Sequence, residues 1–292
     1  MKGKVWTIAV ATLMLLTAMS LMVGCNNKVA FNQEADMGIF TQATQTIKNV
    51  NSFRIVGNMD MSIGMSGAGS DLPLEMSIPV EEEIEQSDGS FQMKAVVGIS
   101  GGLGNAGLAG GDGGDGGNVT MYLIDDRLYY ETQGKWYYSQ YSTPLTAMGG
   151  GNNQLVTPKS IIQMMENADS VEIVEETDSQ VRYHLVLGDK YYQNALDEFS
   201  KIMPDYPVEQ YQGLIEGMKY ELEVTVDRAS EQVVHLQVIM TGDNLEYMQG
   251  IKMSMRVKGE FDFSDYGKGF AIQLPEEARN AEYLDTSSYN PF

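Results

Sequence analysis

Cysteine and histidine are almost missing from this sequence. One cysteine, Cys25, and two histidines, His184 and His235, stand among 292 residues. A single thiol excludes intramolecular disulfides and thiolate metal clusters, so an exported fold has to hold itself together by packing alone. Each histidine lies on an alternating segment without a second histidine or a carboxylate at ligand spacing. Both read as surface or edge residues, with no metal bound. Positive charge is scarce too, because 19 Lys and Arg against 40 Asp and Glu give a formal charge of −21. Such a surface repels nucleic acid and anionic lipid headgroups. No Gly-x-Ser-x-Gly elbow occurs. The run Glu81-Glu82-Glu83-Ile84-Glu85 reads as a solvated strand end, since adjacent strand residues point to opposite faces and do not form a catalytic carboxylate pair. No cofactor is implied, and an enzyme is the lesser expectation.

What is present begins with Lys2 and Lys4 and an apolar run from Val5 to Gly24. That run approaches the roughly 20 residues of an uncleaved membrane helix. The stretch Leu21-Met22-Val23-Gly24-Cys25, however, resembles a bacterial lipobox, in which cleavage precedes a cysteine that takes diacylglycerol. The expectation is a signal peptide over 1–24, lipid attachment at Cys25, and a polar tether over 25–35. Losing Lys2 and Lys4 takes the charge from −21 to −23. Two or more acyl chains anchor stably where one does not. The protein is therefore expected on the outer face of the bacterial cytoplasmic membrane, with its acidic body standing off the headgroups.

Phe40, Ala43, Ile47 and Val50 recur at helical spacing. From Phe53 the period becomes two, with Phe53, Ile55, Met59, Met61, Ile63 and Met65 on one face. Leu74, Met76, Ile78 and Val80 alternate next, and Pro79, which cannot donate to a ladder, predicts an edge or a bulge there. Phe91 to Val97 is another strand. The glycine-rich segment 100–118 reads as a loop; its Gly110 to Gly116 portion resembles a calcium-binding repeat only once and lacks the periodic apolar position. Val119 to Tyr141 reads as a meander of three aromatic strands, whose cross-strand pairing accounts for the aromatics more simply than a stacking platform for bases or sugars. Helices are expected after Thr157-Pro158 and over Lys190–Met203. Val171–Glu175, Val181–Leu187, Met218–Val226, Val234–Met240 and Ile251–Phe263 alternate as strands, and their short turns and single wet faces predict an antiparallel sheet. The end, 281–292, reads as a loose tail.

Methionine is abundant, 20 in all. Four lie in the leader, and many of the others fall on apolar strand faces. Met59, Met61, Met76, Met93, Met218, Met253 and Met255 are the candidate lining of an apolar cavity, because methionine adapts to varied apolar partners. The competing reading is that they fill a solid core under the helices.

The order of elements is similar to that of the LolA/LppX-like group of bacterial lipoproteins and carriers, especially lipidated members in Gram-positive bacteria. The similarity is carried by the lipobox, the helix ending in Val50-Asn51-Ser52, the strand from Phe53, the meander with its Gly134-Lys135-Trp136 turn, the long closing strands and Leu274-Pro275-Glu276-Glu277-Ala278. The resemblance implies one domain over 36–280 that is mainly β with helices: a strongly curved antiparallel sheet, or half-open barrel, with helices covering the concave face. It also implies a cavity for acyl chains. The functional expectation is a tethered, non-catalytic lipoprotein that binds a lipid or other apolar ligand. The alternative is a solid-cored surface module that binds a protein or envelope polymer through its exterior. No protein partner is indicated.

Overall fold

The computed structural model describes residues 50–66, 72–87, 90–98, 100–101, 118–124, 127–132, 134–140, 168–188, 217–248 and 251–283, with Gly38, Ile39, Gln42, Ala43 and Met164. The expected signal peptide, Cys25, the expected tether, most of the glycine-rich segment and nearly all of the three expected helices lie outside the described residues. Four positions of the first helix, Gly38, Ile39, Gln42 and Ala43, are helical, as is Met164 of the second.

Among the described residues, thirteen strands form a single sheet. They are β1 (Ser52–Ser66), β2 (Leu72–Ser87), β3 (Ser90–Gly98), β4 (Ser100–Gly101), β5 (Asn118–Ile124), β6 (Arg127–Thr132), β7 (Lys135–Gln140), β8 (Ser170–Glu176), β9 (Gln180–Leu187), β10 (Lys219–Asp227), β11 (Gln232–Met248), β12 (Ile251–Ser264) and β13 (Glu282–Tyr283). Their spatial order is β13-β7-β6-β5-β3-β2-β1-β12-β11-β10-β9-β8, with β4 beside β2. All neighbours run antiparallel except β13, which lies parallel to β7. Nearly every hairpin neighbour in sequence is a neighbour in space, and the long-range step is the pairing of β1 with β12 in the middle of the sheet. The outermost strands, β8 and β13, do not pair with each other among the described residues, so the sheet is open. Adjacent strands rotate by roughly 20–25°, which makes a sheet this wide curl.

Alternation sorts the side chains into two faces. On one face, cross-strand rows run unbroken through six or more strands. One is Met76–Met61–Val257–Met240–Tyr220–Leu187, and the next is Ile78–Met59–Gly259–Val238–Leu222–Leu185–Val171. Most of these residues belong to one buried apolar cluster, which also takes in Ala43, Met164 and Ala168. The other face carries the charges, such as Arg54 with Glu81 and Arg182 with Glu175.

Three expectations change on this sheet. Pro79 is on a central strand: β2 lies between β1 and β3, and the ladder that leaves off at Gly98 resumes at Ser100 in β4. The missing proline donor faces that interruption, where a Cβ on Gly98 would sit 2.7 Å from the Pro79 ring. Val234 is not on the buried phase. A register shift between Thr225 and Val226 pairs Val226 with Val233 and turns Val234 outward; one extra residue exchanges the faces of everything before it. Finally, Glu282 and Tyr283 of the expected loose tail pair with Tyr137 and Tyr138.

Candidate apolar binding face

The apolar face has two unlike ends. At the end where β1 begins, the chain after β12 folds back over the sheet. Ser52 accepts a hydrogen bond at its Oγ from the Gly269 amide at 3.0 Å, and its carbonyl accepts one from Gly267 at 2.9 Å. Phe53 meets Phe263 and Tyr266 with ring centroids 6.4 and 6.3 Å apart. The Tyr266 hydroxyl donates to the Val233 carbonyl, and burial pushes its pKa far above the ordinary value. Val224, Val226, Val233 and Tyr183 are fully buried here.

The other end holds the methionines. Met61 pairs with Met76, Ile63 with Met255, and Met255 with Gly242, against which Met218 is packed. Met253 pairs with Leu245. Met59, Ile63 and Met255 stay partly exposed while packed against the cluster. Six of the seven expected methionines thus gather in one region, joined by Met240, which the sequence reading left out. Met93 is separate: it pairs with Ile84 and Leu123, level with Phe53 at the closed end.

Between the ends, the Phe261 ring lies over two glycines. A Cβ on Gly57 would fall 2.5 Å from that ring and 2.3 Å from the Glu260 carbonyl, and one on Gly259 would fall 2.6 Å from the ring. The Glu260 carbonyl holds the first of these positions to glycine, whereas at Gly259 only the far edge of the ring is in the way.

The acidic run is not a solvated strand end. It lies in the middle of β2, paired on both sides. Glu81 accepts from Arg54 at 2.5 Å and Glu83 is 3.9 Å from Lys94, both on the polar face. The Glu85 carboxylate accepts from the Phe270 amide at 2.8 Å. Glu82 alternates inward, into the row Ile55–Glu82–Ala95–Met121–Tyr130–Tyr137. Burial pushes its carboxyl pKa up to about 7.

The polar face brings His235 against Asp262, Nδ1 to Oδ1 at 2.7 Å, a pairing that sequence distance concealed. These two line a groove of about 440 Å³ with Glu175, Arg182 and Thr225. Its polar walls suit water better than an acyl chain. No group of three metal-ligating side chains occurs among the described residues, and no described helix is long and apolar enough to cross a membrane. Farther along this face, Tyr122 and Trp136 lie 5.9 Å apart, and Tyr138 lies 5.8 Å from Tyr129 and 5.4 Å from the exposed Tyr283.

A wide, open antiparallel sheet with one apolar and one charged side defines the class of protein. The chain belongs to DUF6612, described as a family of unknown function, which matches residues 36–283. No curated protein matches. Among solved structures it is similar to LprF from Mycobacterium bovis, at 13% identity over 84% of this chain and 98% of that one, with a TM-score of 0.41. A LolA superfamily protein from Nitrosomonas europaea is similar at 11% identity over 82% and 95%, with a TM-score of 0.22. So is a putative outer membrane lipoprotein-sorting protein domain from Vibrio parahaemolyticus, at 10% identity over 84% and 95%, with a TM-score of 0.24. The neighbours thus include LolA-type proteins, the group that the sequence resembles. At such identities the likeness concerns the fold alone.

Proposed function

We propose that this protein is an extracytoplasmic lipoprotein, tethered through Cys25, that binds a lipid or other apolar ligand without catalysis. The observation that carries this reading is the methionine-rich end of the sheet, where Met59, Ile63 and Met255 remain partly exposed although they belong to the apolar face. Met59 and Met255 are unbranched and polarizable, so they can repack around an apolar partner. Helices cover this face in our reading. Ala43 and Met164, both helical, are 0% and 5% exposed and sit in the same apolar cluster as the strands. The single domain that the lipid tether carries takes in residues 36–280 and, through β13, Glu282 and Tyr283.

Native mass spectrometry of the protein purified from its own membranes tests the binding. Co-purifying lipid, displaced by added acyl probes, is the expected result. A protein that arrives empty and ignores those probes overturns the reading. The tether is tested separately: Cys25→Ala releases the protein from membranes or leaves it uncleaved, and unchanged processing with full membrane retention contradicts it.

One observation favours a second reading, binding of an envelope polymer through the exterior. Tyr122, Tyr129, Trp136, Tyr138 and Tyr283 form a cluster of rings on the otherwise charged face, with the Arg127 guanidinium 5.7 Å from the Tyr138 ring centre. Co-sedimentation with insoluble envelope polymer that Trp136→Ala abolishes is the result this reading requires.

A further inference from the structure

One acidic side chain stands on the apolar side of the sheet. Glu82 pairs with Ile55 on β1 and Ala95 on β3. Those two residues and Ile84, the next on the same face, are exposed by 3% or less. The other acids of the run are answered, by Arg54, Lys94 and the Phe270 amide. Glu82 has no hydrogen bond or ion pair among the described residues, and its side chain is only partly exposed. The facing positions on β1 are Phe53, Ile55 and Gly57, and those on β3 are Met93, Ala95 and Val97. None of them carries a charge or a donor. The nearest titratable group in the same row is Tyr130, three strands away. A carboxylate in such a place is costly unless a partner matches it.

We infer that Glu82 is the headgroup contact of the apolar face, and that the ligand is an amphiphile whose ammonium group donates to this carboxylate while its hydrocarbon tail lies along Met59, Met61 and Met255. This rests on the apolar-ligand reading above and narrows it to a chemical class. Four residues of β1, about 13 Å of extended strand, separate the row of Glu82 from that of Met59, past the Phe261 ring, and six, about 20 Å, separate it from that of Met61. The charge suits such a molecule. An anionic headgroup is repelled and a neutral one leaves the carboxylate unmatched, whereas an ammonium supplies both the opposite charge and three donors.

The test uses the full chain in phosphatidylcholine nanodiscs, titrated calorimetrically at pH 8 with decylamine and with decanol against empty discs. The wild-type protein binds decylamine at least about tenfold more tightly than decanol, and Glu82→Gln, nearly the same shape, binds the two within about threefold. At pH 5.5, where the carboxyl holds its proton, the wild-type preference collapses towards that of the variant, a readout that needs no substitution. Equal binding of the two probes by the wild type, or a preference that survives in Glu82→Gln, overturns the assignment of Glu82 while decanol binding still upholds the apolar face. Failure of both probes to bind overturns both.

Discussion

The two ends of the apolar face are made from the same strands and differ in how each is closed. At the Phe53 end, rings and β-branched side chains interlock under the returning chain, with Val224, Val226 and Val233 fully buried. Their χ1 angles have few alternatives, so the packing specifies one arrangement. At the Met61 end the same strands present methionines that are unbranched and polarizable, and two of them, Met59 and Met255, stay partly exposed. The first end holds the sheet together; the second can repack around something else at little cost. The glycines under Phe261 mark the boundary between them.

The sharpest way to break this comparison is to cut into the interlocked half. Phe53 is buried against Phe263 and Tyr266, and Phe53→Ala is expected to cost about 3–5 kcal/mol in denaturant unfolding. A cost under about 1 kcal/mol would mean that this half is as adaptable as the other. At the boundary, Gly57→Ala drives a methyl into the Phe261 ring and the Glu260 carbonyl. The expected loss is about 1–3 kcal/mol, and Gly57→Ala combined with Phe261→Leu should recover part of it, since the ring is one of the two obstacles.

The faces of β1, β10 and β12 were legible because their apolar residues alternate strictly, and period two assigns sides without any knowledge of partners. Legibility failed where a single residue changes the phase. Val234 and Val233 are both valines, so composition gives no sign of the bulge that buries one and turns the other outward. Glu82 was legible and passed over: it continues the phase of Met76, Ile78 and Val80 and precedes Ile84, and its pairing with Ile55 and Ala95 follows that phase. The methionines were identified by type, but their grouping depends on the long-range register of β1 with β12, which no local pattern encodes. What separates Met93 from the rest is the register of β3 with β2, which sets it level with Ile84.

Glu82 sharpens the comparison through pH. Its carboxyl pKa rises from 4.5 in the unfolded chain to about 7 in the folded one. Between these values the folded protein keeps a proton that the unfolded chain has lost, so stability falls as pH rises from about 4.5 to about 7 and levels off above. The loss is about 2 kcal/mol after discounting for the partial exposure of the side chain. Asp60, Asp227 and Glu260 are shifted the other way, downwards. Their contribution is lost only at more acidic pH, outside this window. The difference in stability between wild type and Glu82→Gln therefore isolates the effect, and parallel curves from pH 4.5 to 7 would refute it.

The smallest effect bears most directly on the methionine end. Met61→Leu conserves volume, so on packing grounds it should change stability by less than about 1.5 kcal/mol in either direction. Leucine is branched and has fewer accessible shapes, so what it removes is adaptability, not apolar area. If this end is ligand lining, Met61→Leu with Met255→Leu leaves the unfolding midpoint almost unchanged but narrows the range of acyl-chain lengths that the protein retains in native mass spectrometry. If it is core like the other end, the double substitution behaves in the opposite sense: it moves the midpoint and leaves the bound lipids as they were. The same two substitutions therefore separate the readings, because adaptability shows in what is bound and packing shows in what unfolds.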